Sequence, residues 1–215
     1  MPRLIVYVDG FNYYYGAVKG TPYKWADLGK LSKILFPRDE IVLIRYFTAP
    51  VQDNPLNPGQ HVRQRTYFRA LRTIPNLEIH EGFFLSHSVW MPKAPPERGR
   101  VKVLKFEEKG SDVNLATHLI FDAFEDRFDV AAVISNDSDL ALPIQMVQEK
   151  LGKPVGVVGY DCRLQKKYGK KCRQSARLRE AASFFKTIRE SALRRAQFPE
   201  ELEDEKGRFR KPGFW

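Results

Sequence analysis

Four aspartates stand where this chain could do chemistry. Asp9 ends the apolar run Leu4-Ile5-Val6-Tyr7-Val8 and is followed by Gly10-Phe11-Asn12. Asp137 and Asp139 follow a second apolar run over residues 129–135, and Asp112 comes after Glu107-Glu108-Lys109-Gly110-Ser111 and opens a segment of helical spacing. Apolar runs without alternation read as strands buried on both faces of a parallel sheet. In open α/β sheets ligands sit beyond the carboxyl ends of the strands, so the four acids can meet at one sheet edge. Carboxylates gathered there repel one another unless a cation neutralises them. A hard divalent ion, Mg²⁺ or Mn²⁺, suits an all-oxygen site with few protein ligands. Such an ion can hold a phosphodiester oxygen and lower the pKa of an attacking water.

Each acid also has a purely structural explanation. Asp137 could cap the helix that follows it, and Ser111 with Asp112 could cap theirs, because Asp and Ser accept from the free N–H groups of a first turn. The set is harder to explain in this way. One helix start needs one cap, yet Asp137 and Asp139 are both present, and Asp9 precedes no obvious helix start.

The formal charge of +10 is concentrated: residues 161–195 hold twelve Lys/Arg against three acids. A solvated face explains such a run. The sharper reading is polyanion capture, in which clustered cations, Lys166, Lys167, Lys170 and Lys171 among them, release counterions from a phosphate backbone. A second basic face is expected on a helix over 59–72, where Arg65, Arg69 and Arg72 fall at i, i+4 and i+7 beside Tyr67 and Phe68.

The elements that must position these groups follow from periodicity. Strands are expected over 4–8, 41–47, 77–85, 101–106, 130–135 and 154–159, and helices over 25–35, 59–72, 111–125, 139–150 and 176–192, with a loop over 50–59. Strands alternating with helices argue for a largely parallel sheet covered on both faces. Residues 1–160 form the expected domain, 161–198 a basic helical extension packed on it, and 199–215 a disordered tail. Cys162 and Cys172 read as two reduced thiols, since no closely paired ligands accompany them. His61, His80, His87 and His118 each stand alone, and none is assigned to metal. The longest apolar runs fall far short of the ~20 residues of a membrane span, and the opening run is too short for a signal-peptide core. The expectation is a soluble, cytoplasmic protein that does not engage a membrane.

Three ordered blocks carry a resemblance: Ile5-Val6-Tyr7-Val8-Asp9-Gly10-Phe11-Asn12, Glu108-Lys109-Gly110-Ser111-Asp112-Val113-Asn114-Leu115-Ala116, and Val133-Ile134-Ser135-Asn136-Asp137-Ser138-Asp139-Leu140. Together they resemble the signature blocks of the NYN domain family, which belongs to the PIN-like metal-dependent ribonucleases. The resemblance implies a PIN-like α/β/α sandwich and Mg²⁺- or Mn²⁺-dependent hydrolysis of RNA, single-stranded RNA above all. It makes Asp9, Asp112, Asp137 and Asp139 the metal-binding and catalytic acids. Asn12, Ser135 and Lys109, with the basic residues Arg65, Arg69, Lys166, Lys167, Lys170 and Lys171, become substrate contacts. Two positions depart from the pattern: His118 stands where many members carry an acid, and Asn136 stands where a Gly is usual. The rival readings are an RNA- or partner-binding module of the same fold without turnover, and a metal-dependent phosphohydrolase of a small molecule. A homodimer or a regulatory protein partner is compatible with each.

Overall fold

Strand β1 (Arg3–Asp9) is flanked by parallel neighbours on both edges and is covered on both faces, as an unbroken apolar run requires. The computed structural model describes residues 1–52, 57–172, 174–213 and 215. Residues 53–56 of the expected loop, and Arg173 of the basic segment, lie outside the described residues. Beside β1 run β2 (Glu40–Thr48) and β3 (Leu77–Glu81) on one edge, and β6 (Val130–Ile134), β7 (Val155–Tyr160) and β8 (Phe184–Ile188) on the other. The six parallel strands run in the order β3-β2-β1-β6-β7-β8. Strand order reverses between β1 and β6, which makes their carboxyl ends the switch point where open α/β sheets bind ligands.

Alternation along β1 divides the core. Leu4, Val6 and Val8 face a layer containing Trp25, α2 (Leu28–Leu35) and α3 (Gln60–Leu71). Ile5 and Tyr7 face α4 (Ser111–Phe124) and α5 (Ala141–Leu151). Each fully buried aliphatic side chain of these layers contributes about 1.5–3 kcal/mol. Helix α2 starts later than its apolar spacing suggests because Asp27 caps it, accepting from the backbone N–H of Lys30 at 2.9 Å. Among the described residues, no helix is long and apolar enough to cross a membrane.

The expected strand over 77–85 divides at Gly82. Its second half becomes β4 (Phe83–Pro92), which pairs antiparallel with β5 (Arg100–Lys109) in a hairpin separate from the main sheet. A Cβ at Gly82 would collide with the Lys109 carbonyl oxygen, so the chain passes from β3 into β4 beside the end of β5 only with glycine there.

Three expectations need correction beyond residue 160. The helix expected over 176–192 is α7 (Ala176–Ala181), then strand β8, then α8 (Glu190–Arg195). Aromatic and β-branched residues at 184–188 favour the strand, and Tyr160↔Ile188 register completes the sheet. The tail expected to be disordered forms a hairpin of β9 (Glu201–Asp204) and β10 (Gly207–Arg210), with Phe209 buried and Trp215 packed at 5.5 Å from the Tyr67 ring. Cys162 and Cys172, expected as thiols, are joined by a disulfide. Cys162 opens α6 (Cys162–Lys167), and the chain turns back after it through Gly169 at φ +70°, bringing the two Cα atoms to 4.9 Å.

Candidate active site

Asp9 ends β1 and is only 4% exposed. Its Oδ1 accepts from the Asn12 backbone N–H at 2.9 Å and its Oδ2 from the Ser135 hydroxyl at 2.8 Å. Asp9 thus caps a short helix, α1 (Gly10–Tyr13), which corrects the expectation that it has no helix to cap. Gly10 is required there: a Cβ would lie 2.7 Å from the Phe47 carbonyl oxygen and from the Tyr46 ring. Across the switch point, Ser135 is fully buried and its Oγ also accepts from the Asp137 N–H at 3.0 Å. That position corrects its expected role as a phosphate contact; Ser135 positions two acids instead. Asn12 Oδ1 accepts from the Asn136 N–H at 3.0 Å, and Asn136 Oδ1 accepts from the Ser175 N–H at 2.8 Å. The side chain at the unusual position 136 therefore ties the segment before α7 to the site.

Asp137 accepts from the Asp139 N–H at 3.0 Å and caps the turn Ser138–Leu140, so one of this pair has a capping role and exposed Asp139 does not. At α4 the capping expectation fails for Ser111 and Asp112. The helix is preceded by Gly110 at φ +98°, and Glu108 Oε1 accepts from the Ser111 N–H at 3.0 Å. Asp112 is left in the first turn, where the helix dipole favours a carboxylate.

The acids share one electric field. Burial pushes the Asp9 carboxyl up to about 7, against the hydrogen bonds from Asn12 and Ser135, with the charges of Asp112 and Asp137 raising it further. Burial likewise lifts Asp112 to about 6, helped by Asp137, Glu108 and Asp139. Glu108 is thus an acid of the site that motif reasoning left unassigned, although the Glu107-Glu108 pair signalled it. Among the described residues, no three His, Cys, Asp or Glu side chains converge into a metal cage. The four acids meet electrostatically at one edge rather than at one point.

The expected substrate cations divide. Arg65, Lys166 and Lys171 are exposed. Lys109 is also exposed, in an ion pair with Glu107 at 3.2 Å. Arg69 is committed to the C-terminal hairpin through Asp204 at 2.6 Å and the Gly207 carbonyl at 2.7 Å, and Arg72 pairs with Glu81. The single basic face expected on α3 is therefore not formed. Lys167 pairs with Glu190 at 2.7 Å. The Lys170 ammonium is buried, which lowers its pKa to about 8, with Lys19 adding to the effect.

His118 lies against His80, ring centroids 4.2 Å apart, and both rings pack on Phe47. One turn further along α4, fully buried Asp122 accepts from Arg45 Nε and from the Tyr7 hydroxyl, each at 2.7 Å. Sequence reasoning passed over this network, although a lone Arg within the apolar run of β2 demands a buried partner.

On the opposite face of the sheet, Gly10 and Phe11, which follow Asp9, form part of the wall of a cavity of about 600 Å³. Tyr13, Tyr46, Tyr67 and Trp215 line it, together with Lys24 and Arg63.

A model of the NYN domain matches residues 3–188. The chain is 33% identical over 183 residues to 6-hydroxy-3-succinoylpyridine 3-monooxygenase HspA of Pseudomonas putida, a match covering 73% of this chain and 59% of that protein. The chain thus spans somewhat under two thirds of that relative's length. A crystal structure of a protein of unknown function from Vibrio parahaemolyticus superposes with a TM-score of 0.57 at 19% identity, covering 88% of this chain and 94% of the other, a likeness of fold alone. With its PIN-like six-stranded parallel sheet and a domain match over residues 3–188, the chain belongs to the NYN domain family.

Proposed function

We propose that this chain is a metal-dependent ribonuclease whose acids act at the β1/β6 switch point. The observation that carries the reading is the buried Asp9 carboxylate, oriented through both oxygens and held in the field of Asp112 and Asp137. The donor set fits a hard ion: every donor is oxygen, and burial first, then the charges of the neighbouring acids, raises the proton affinities of Asp9 and Asp112, so a cation would be favoured there. Without a closed cage, the arrangement suits an ion held directly by one or two carboxylates and otherwise through water, the usual habit of Mg²⁺. Asp9, Asp112 and Asp137 would hold it, one or two of them directly and the rest through water, with Asp139 and Glu108 at the rim. Bound there, Mg²⁺ or Mn²⁺ would acidify a water and neutralise a phosphate oxygen.

The chain's own residues supply orientation and capture. Ser135 and the Asn12 N–H fix the Asp9 carboxylate, while exposed Arg65, Lys109, Lys166 and Lys171 attract the phosphate backbone. Incubating the protein with end-labelled single-stranded RNA in Mn²⁺, Mg²⁺ or EDTA tests the reading. Internal cuts that EDTA abolishes support it. Retention of RNA without cuts identifies a binding module of the same fold, and neither binding nor cuts overturns the reading.

A second reading takes its substrate from the name of the Pseudomonas relative, which acts on a small heteroaromatic acid. The aromatic, cation-bearing cavity beside Gly10 favours it. Turnover of such an acid by this chain when dioxygen and a two-electron donor are supplied, with RNA left intact, would select it.

A further inference from the structure

The cavity behind the Asp9–Gly10 turn has the makings of a binding site separate from the acid cluster. Its volume of about 600 Å³ lies in the range of small-molecule and cofactor sites. Its walls come from distant parts of the chain: Tyr13 from α1, Tyr46 from β2, Tyr67 from α3, and Trp215. Aromatic faces arranged in this way offer a planar ring offset or edge-to-face partners.

Polar groups there point to what the ring must carry. Lys24 and Arg63 both line the cavity, and the Lys24 ammonium is held below its ordinary pKa by burial and then by the charges of Arg63 and Lys211. Two cationic side chains on the wall of one cavity favour an anion. Arg63 is held in place there, donating from Nη1 to the Pro58 carbonyl at 2.9 Å. The second observation is independent of charge. Tyr13, 1% exposed, lines the same cavity, and its hydroxyl makes no hydrogen bond among the described residues. Tyr67, by contrast, spends its hydroxyl on the Ala26 carbonyl at 2.8 Å. A buried hydroxyl without a partner costs free energy that a ligand heteroatom would recover.

We propose that this cavity binds a planar heteroaromatic ring bearing an anionic group, with the ring among Tyr13, Tyr46, Tyr67 and Trp215, a ring heteroatom or exocyclic oxygen on Tyr13 Oη, and the anion at Lys24 and Arg63. Two sources share this chemistry, a nucleotide and a free aromatic acid. The proposal stands on the cavity alone and does not require the acid cluster to be catalytic.

The test is calorimetric titration of the full chain in EDTA with adenosine 5′-monophosphate, uridine 5′-monophosphate and a succinoyl-substituted pyridine, and with uncharged adenosine and pyridine as controls. Saturable one-to-one binding of a charged ligand, at least about tenfold tighter than its uncharged counterpart, is expected. Preference for the nucleotides or for the pyridine acid identifies the source. Arg63→Met should weaken that binding by about tenfold or more, and Tyr13→Phe, which keeps the ring, by about 2–10-fold. Lys24→Met provides a second cation variant should Arg63→Met fail to fold. Asp112→Asn should bind as the wild type does, so loss of RNA cleavage and loss of this site are read separately. No saturable binding of any charged ligand, or binding that neither Tyr13→Phe nor a folded cation variant weakens, overturns the proposal.

Discussion

Ser135 and Asp9, 126 residues apart in sequence, are joined side chain to side chain across the switch point, the serine hydroxyl donating to Asp9 Oδ2 at 2.8 Å. The same hydroxyl oxygen accepts from the Asp137 N–H, so one atom holds an acid from each half of the sheet. Ser135→Ala should therefore leave a buried carboxylate oxygen and a half-buried N–H short of a partner. We expect a loss of about 1–3 kcal/mol in stability, read from denaturant melts, together with a Mn²⁺ requirement shifted to higher concentration. Wild-type stability would show that the hydroxyl is replaceable.

Raised proton affinity at Asp9 gives a pH signature. The folded carboxyl titrates near 7 and the ordinary value is 3.8, so folding binds a proton between them and the associated stability is lost as pH rises through about 7. Asp112, at about 6, acts in the same direction. In EDTA, lowering pH from 7.5 to 5.5 should stabilise the protein, with Asp9 contributing on the order of 2 kcal/mol. Mn²⁺ should flatten this dependence, because cation and proton compete for the same oxygens. Melting curves across that range check it; a dependence unchanged in Asp9→Asn would assign the protons elsewhere.

The first and last motif blocks were legible because a buried parallel strand is almost wholly apolar, so an acid at its end stands out, as Asp9 does after Val8. Strand β8 was not legible. Leu178, Ala181, Ala182, Phe185 and Ile188 share a helical spacing, and only pairing with β7 shows that 184–188 is extended. The C-terminal hairpin was hidden by its charges, although Gly207 at φ +96° and buried Phe209 are its turn and its anchor. The aromatic cavity had no signal in sequence, since Tyr13, Tyr67 and Trp215 meet only through tertiary packing.

Arg45 and Asp122 form a buried ion pair, their side chains 4% and 0% exposed. Removing one partner strands the other charge in the core, which typically costs about 3–5 kcal/mol. Asp122→Ala should show a loss of that size in the urea midpoint, and Tyr7→Phe a smaller one of about 1 kcal/mol. An Asp122→Ala protein within about 1 kcal/mol of wild type, well below the usual cost of such a break, would mean that Glu78 and His80 suffice to hold Arg45.

Exposed Lys166 and Lys171 differ from Lys167, which is paired with Glu190. If the exposed pair meets phosphate, replacing both with Gln should reduce the salt slope of single-stranded RNA binding by about 0.7 for each phosphate that is no longer neutralised. Lys167→Gln should change stability more than slope. An unaltered slope in the double variant would leave these two lysines as a solvated face.

The comparison that decides whether Asp9 serves a metal-dependent nuclease is a cleavage time course of labelled single-stranded RNA by the wild type and Asp9→Asn in Mn²⁺, run beside melting curves of both with and without the ion. The substitution removes one charge while keeping the side chain's shape, and the Asn12 N–H retains an oxygen acceptor. We expect Mn²⁺ to stabilise the wild type and not the variant, and cleavage to fall at least about 100-fold while the variant stays folded. Equal cleavage by the two proteins, or Mn²⁺ stabilisation that survives the substitution, would contradict a role for Asp9 as a metal ligand.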